Sequence, residues 1–143
     1  MPVAIWAELA QHERVLGIKD TTCELDGIAA KVKAAPKAIV YQANTPLALE
    51  SARLGVGGMM AITSAACPDL IAAFWREAVK GTPLAAQLHA RLVFLDMVLR
   101  ACHPIASKYL AQLRGLRMGL GARSPGRMSS EIAAAIRVWH DAN

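Results

Sequence analysis

Apolar and polar positions in this 143-residue chain alternate between two periods, one helical and one extended. From Val3 to Glu13, Ile5, Trp6 and Leu9 recur at helical spacing with Glu8 and His12 elsewhere, which predicts an amphipathic helix. Arg14-Val15-Leu16-Gly17-Ile18 reads as a short buried strand that stops at Lys19-Asp20-Thr21-Thr22. A helix over Glu24 to Ala35 is closed by Pro36, and Ala38-Ile39-Val40-Tyr41 forms a second strand. Thr45-Pro46 has the chemistry of a helix start, a capping hydroxyl with proline in the first turn, for a helix from Leu47 to Leu54 that stops at Gly55. Gly58-Met59-Met60-Ala61-Ile62 is a third strand, and Pro68 opens a helix that runs to Lys80.

Strands that are apolar on both sides, alternating with helices through short linkers, imply a parallel sheet covered by helices. Beyond Gly81 the pattern is helical throughout. Thr82-Pro83 starts a long helix to about Cys102 whose apolar side is Leu84, Leu88, Leu92, Leu95 and Leu99. Pro104 begins a helix through Leu113, a glycine- and arginine-rich loop follows, and Ser129-Ser130-Glu131 caps a last helix to His140. The expected class is α/β: three βα units followed by a helical C-terminal extension.

Composition narrows this further. With 55% hydrophobic and 19% charged positions the chain is built to bury a core, which excludes disorder. Its longest charge-free run, Leu54 to Pro68, carries glycines, Thr63 and Ser64 and falls short of the roughly 18 apolar residues of a spanning helix. Met1-Pro2-Val3-Ala4 has no basic start of a signal peptide, so a cytoplasmic protein without membrane association is expected. Cys23, Cys67 and Cys102 are odd in number and widely spaced, which fits reduced, mostly buried thiols and no metal site. The net charge of +5 is confined to one stretch: Met97 to Ser130 holds six bases and no acid. Only Tyr109 offers a stacking ring nearby, so that stretch reads as a solvated loop or a contact surface and not as a nucleic-acid site.

Lys19 carries the candidate chemistry. A lysine directly after a buried strand stands at the carboxyl mouth of a parallel sheet, where catalytic groups of such folds gather. Partial desolvation there favours the free amine, which attacks ketones to give a Schiff base. The alternative reading is a lysine that reaches out at the sheet edge and pairs with Asp20.

The run Val15-Leu16-Gly17-Ile18-Lys19-Asp20-Thr21-Thr22 resembles the Schiff-base strand of the dihydrodipicolinate synthase / N-acetylneuraminate lyase family, the class I pyruvate-type aldolases built on a (β/α)8 barrel. The resemblance continues in order through Tyr41-Gln42-Ala43-Asn44-Thr45-Pro46, similar to the seventh strand and its helix, and Gly55-Val56-Gly57-Gly58-Met59-Met60-Ala61-Ile62-Thr63, similar to the eighth. His103-Pro104-Ile105 to Gly115-Leu116 resembles the C-terminal helical region. The resemblance implies a partial (β/α)8 TIM barrel over residues 1–81, its last three strands with their helices, and a helical region over 82–143. It implies that Lys19 forms the imine with pyruvate or a related 2-keto acid, that the backbone carbonyl of Met60 approaches the keto acid, and that Ala43 and Asn44 line the mouth. Substrates would be a small 2-keto acid and an aldehyde, with no metal or organic cofactor, and a full-length chain would be a homo-oligomer.

Two departures stand out: Ala43 replaces a frequent glycine, and Gly58-Met59-Met60-Ala61 is bulkier than the usual small branched residues. Strands one to five have no counterpart here, nor do the glycine-rich carboxylate site and the strand-five tyrosine that belong to them. Neither Tyr41 nor Tyr109 occupies that tyrosine's motif. A whole barrel takes roughly 250 residues. The expectation is therefore a lyase chain that is an incomplete fragment, and its rival is a non-catalytic assembly module that needs a partner chain to close the barrel. His12, His89, His103 and His140 lack metal-ligand spacing and read as surface or helix-end residues, and Cys23 as a buried inert thiol.

Overall fold

A computed structural model describes residues 1–123 and 126–143; Ser124 and Pro125, within the basic loop, lie outside them. Among the described residues the elements run α1 (Val3–Leu9), β1 (Gly17–Asp20), α2 (Leu25–Ala34), β2 (Ile39–Gln42), a 3-10 turn (Thr45–Leu47), α3 (Ala48–Arg53), β3 (Gly58–Met59), α4 (Ile62–Ala66), α5 (Pro68–Lys80), α6 (Pro83–Arg100), α7 (Ile105–Leu113) and α8 (Ser130–Asp141). The three strands form one parallel sheet in the order β1-β2-β3.

The sheet sorts its side chains by register. Lys19, Tyr41 and Gly58 form one row across it, and Asp20, Gln42 and Met59 the next. Neighbours in a row share a face and successive residues alternate. The Asp20 row turns toward the helices: Asp20 and Gln42 are buried, and Met59 packs against the larger core. The other face is uncovered, with Ile39 40% and Met60 49% exposed, and Leu16, just before β1, is 74% exposed.

Two cores hold the helices to the sheet. The smaller gathers Trp6, Ile28, Val40 and Val56 where α1 and α2 meet the sheet, and the Trp6 indole N–H donates to the Lys31 carbonyl at 3.0 Å. In the larger core Leu70, Ile71 and Phe74 of α5 meet Leu88, Leu92, Leu95 and Leu99 of α6, Leu110 of α7 and Ile136 of α8. Proline at its start and an acid in its first turn favour α5 at its N-terminal end. Gly81 ends it in the left-handed conformation (φ 71°) that glycine adopts without steric cost. At α8 the Ser129 hydroxyl accepts the Ile132 N–H at 3.3 Å, the expected cap.

Several boundaries differ from the sequence expectation. The first helix ends at Leu9 because the chain then turns, with Gln11 and His12 donating to the Glu8 and Leu9 carbonyls and Val15 to that of His12. The extended segment therefore starts at Gly17 and includes Lys19 and Asp20, instead of ending before them. The third strand is two residues long, because the Ala61 N–H donates to the Ser64 hydroxyl at 3.3 Å and α4 begins at Ile62. Thr45 does not cap a helix with its side chain; that hydroxyl donates to Asp96. On α6 Ala85 turns inward at the first turn and Leu84 is 47% exposed. Cys67 is buried and Cys102 half-buried, whereas Cys23 is exposed, against the expectation of a buried thiol. None of the described helices is long and apolar enough to cross a membrane.

Candidate active site

Lys19 is the next-to-last residue of β1 and its side chain rises from the uncovered face. It lines a cavity of about 250 Å3 together with Leu16, Gly17, Ile18, Tyr41 and Met60. Tyr41 reaches this cavity because its row neighbour on β3 is glycine: a Cβ on Gly58 would stand 3.1 Å from the tyrosine ring. Met60 is anchored by its backbone, its N–H donating to the Gln42 carbonyl at 2.8 Å, while its side chain remains exposed.

Asp20 does not pair with Lys19. Its carboxylate points behind the sheet, where Oδ1 accepts the Lys31 ammonium at 2.7 Å, the Thr22 hydroxyl at 2.8 Å and the Thr22 N–H at 3.0 Å. Lys31 also donates to the Thr22 hydroxyl at 2.6 Å, so one buried cation ties the end of β1 to α2. Burial pushes the Asp20 carboxyl upward, but the Lys31 ammonium and the two Thr22 donors outweigh it and hold the group below its ordinary value of 3.8. Among the described residues Lys19 takes part in no ion pair, so the pairing alternative raised by the sequence gives way to Asp20–Lys31. Lys31 was legible only as one polar position on a helix; its burial follows from the α2 contacts with α1 and β2.

Asn44 and Ala43 stand in the loop after β2. The Asn44 amide donates to the carbonyls of Thr21 and Thr22 at 3.2 and 3.1 Å, joining this loop to the one that follows Lys19. Neither residue is among those lining the Lys19 cavity, whereas Lys19 and Met60 meet there and Tyr41 joins them. The histidines are dispersed: His12 and His103 are exposed, and His89 contacts the Thr45 carbonyl at 2.9 Å through Nε2. Among the described residues no three His, Cys, Asp or Glu side chains gather as a metal would require.

Residues 1–136 match the model of the family described as the dihydrodipicolinate synthetase family. The chain belongs to that family. It is 32% identical over 131 residues to the 4-hydroxy-tetrahydrodipicolinate synthase of Ralstonia nicotianae, an alignment that takes in 87% of this chain and 43% of the relative. Among solved structures, dihydrodipicolinate synthase from Bacillus anthracis superposes with a TM-score of 0.88 at 19% identity, over 99% of this chain and 49% of that one. N-acetylneuraminate lyase from Fusobacterium nucleatum, solved with pyruvate, gives 0.87 at 17% identity, again over 99% and 49%. The chain thus spans about half the length of the family relatives it matches. At such identities the superpositions establish the fold alone.

Proposed function

We propose that this chain supplies the last three strands, their helices and the C-terminal helical region of a (β/α)8 barrel lyase that works through a Schiff base on Lys19. The observation that carries the reading is the isolation of Lys19: it opens onto the cavity it shares with Met60 and Tyr41, while the acid next to it is engaged by Lys31 on the far side of the sheet. The Lys19 amine adds to the keto carbon of pyruvate or a related 2-keto acid, water leaves, and the protonated imine accepts the electron pair as a carbon–carbon bond forms or breaks beside it. The imine is its own electron sink and calls for no metal or organic cofactor. The second reactant is an aldehyde, Met60 approaches the keto acid through its backbone carbonyl, and Ala43 and Asn44 bound the mouth.

The open flank of β1, the exposed Leu16 beside it and the apolar face of Ile39 and Met60 support completion by further strands, either of this polypeptide's own continuation or of a second chain. The same features favour a second reading, an assembly module without activity of its own. Borohydride trapping with pyruvate followed by peptide mass spectrometry separates the two. A single adduct on Lys19, lost in Lys19→Ala, supports the lyase. No adduct, or scatter over other lysines, together with a stable complex formed only with a second chain, supports the assembly module.

A further inference from the structure

The loops at the carboxyl edge of the sheet are gripped by a polar cluster on which the Lys19 chemistry makes no direct call. Asp96 of α6 is 1% exposed and is not among the residues lining the Lys19 cavity; its partner is a buried threonine pair, reached through Thr45. The Thr45 hydroxyl, just after β2, donates to Asp96 Oδ1 at 2.9 Å, and Thr45 and Thr63 hydroxyls lie 3.0 Å apart. A carboxylate only accepts, so the single Thr45 proton is committed to Asp96 and Thr63 donates to Thr45. The second Asp96 oxygen accepts Arg100 Nε, and His89 holds the Thr45 carbonyl from the same helix at 2.9 Å. Thr45 and Thr63 are both fully buried.

Each end of this relay touches a loop that matters to the site. Thr45 follows Asn44, whose amide reaches the Thr21 and Thr22 carbonyls beyond Lys19. Thr63 lies three residues after Met60, in the first turn of α4. Lys19 itself is fixed differently, by four register pairs between β1 and β2. We infer that Asp96 is a positioning residue: through Thr45 and Thr63 it sets the loops that carry Asn44 and Met60, so that the C-terminal helical region governs how a keto acid is bound and leaves the nucleophile's own placement to the sheet. The inference rests on the Lys19 reading above.

The test is the pyruvate dependence of borohydride trapping on Lys19, measured below each variant's unfolding temperature. Thr45→Val keeps the side-chain shape and removes the hydroxyl; it should raise the half-saturating pyruvate concentration at least about tenfold while the limiting trapping rate stays within about twofold. Thr45→Ser restores the hydroxyl and should return the concentration toward that of the unaltered protein. Arg100→Met, at a half-exposed position, removes one Asp96 partner without emptying the core and should shift the same parameter in the same direction, which keeps the test intact if Thr45→Val does not fold. A Thr45→Val protein that folds and binds pyruvate as before overturns the inference, as does an unchanged half-saturation with a fallen limiting rate. If Thr45→Val does not fold, unchanged half-saturation in Arg100→Met overturns it. Absence of any Lys19 adduct in the unaltered protein instead overturns the Lys19 reading, and the inference with it.

Discussion

Replacing Lys31 by methionine should destabilise the fold far more than replacing Lys19, the residue to which the proposed chemistry is assigned. The Lys31 and Asp20 side chains are 4% and 5% exposed and their charged atoms lie 2.7 Å apart. At that separation and an effective dielectric of about 20 the attraction is roughly 6 kcal/mol, most of it offset by the cost of taking both ions out of water. Methionine fills much of the lysine's volume but leaves the carboxylate buried without its cation. Oδ2 already lacks a partner among the described residues, so only the Thr22 donors on Oδ1 remain. Removing one member of a buried pair costs about 3–5 kcal/mol. At this chain length that is a fall of roughly 10–15 °C in Tm. Lys19→Met, on the open face, should stay within about 0.5 kcal/mol.

Urea unfolding of the three proteins across pH checks the cause as well as the size. Asp20 is held below its ordinary value of 3.8 in the folded chain. A depressed folded value means that the pair's stability is complete above 3.8 and is lost as the pH falls through the lower, folded value. Removing Lys31 raises the Asp20 carboxyl above its value in the unaltered protein. The gap between the two should therefore be widest near neutral pH and narrow as the pH falls, because the variant's carboxylate takes up its proton before that of the unaltered protein does. A Lys31→Met loss below about 1 kcal/mol at neutral pH, or an equal loss for Lys19→Met, would refute the assignment of Lys31 as the partner of Asp20.

Three further outcomes follow from the packing. A thiol reagent should label exposed Cys23 quickly and half-buried Cys102 more slowly, and reach Cys67 only on unfolding, since burial pushes that thiol upward against the opposing pull of Arg114; labelling with and without denaturant reads this directly. Gly17→Ala would place a Cβ 2.5 Å from the Ile39 carbonyl oxygen and should cost about 1–3 kcal/mol in urea unfolding, whereas Gly119→Ala, with nothing within 4 Å, should be close to neutral. Leu92→Ala, fully buried between the helices, should cost about 2–5 kcal/mol by the same measurement.

The alternation of extended and helical periods was enough to place all three strands, the parallel sheet and the late helices, because each apolar run there meets a core that matches its period. Boundaries were lost where one polar group outweighs the pattern. Ser64 starts a helix inside an apolar run that reads as strand, and the turn after Leu9 carries no apolar signal at all. Lys19 could be singled out as a candidate because it follows an apolar strand and its run, Gly17-Ile18-Lys19-Asp20, resembles the Schiff-base strand of the family. Lys31 and Asp96 were not, since a charge on an amphipathic helix normally faces water, and only the three-dimensional arrangement shows that these two are buried by partners 11 and 51 residues away in the chain.

The two faces of the sheet also differ in how the strands are anchored. Beyond the backbone pairing of β1 to β3, side-chain anchors of the strands lie on the helix side: Asp20 is held to α2, the Gln42 amide donates to Ser51 of α3 at 2.8 Å, and Met59 packs into the large core. None of these interactions uses the other face, so β1 to β3 keep their register without a cover over Lys19. A lysine that attacks carbonyl carbon gains its free-amine form from surroundings that exclude water. On the proposed reading, the strands that close the barrel would therefore contribute dryness and the keto acid's remaining contacts, while the position of the nucleophile is already set by the buried row behind it. Adding those strands should accelerate trapping on Lys19 and leave the labelling pattern of the helix-side residues unchanged.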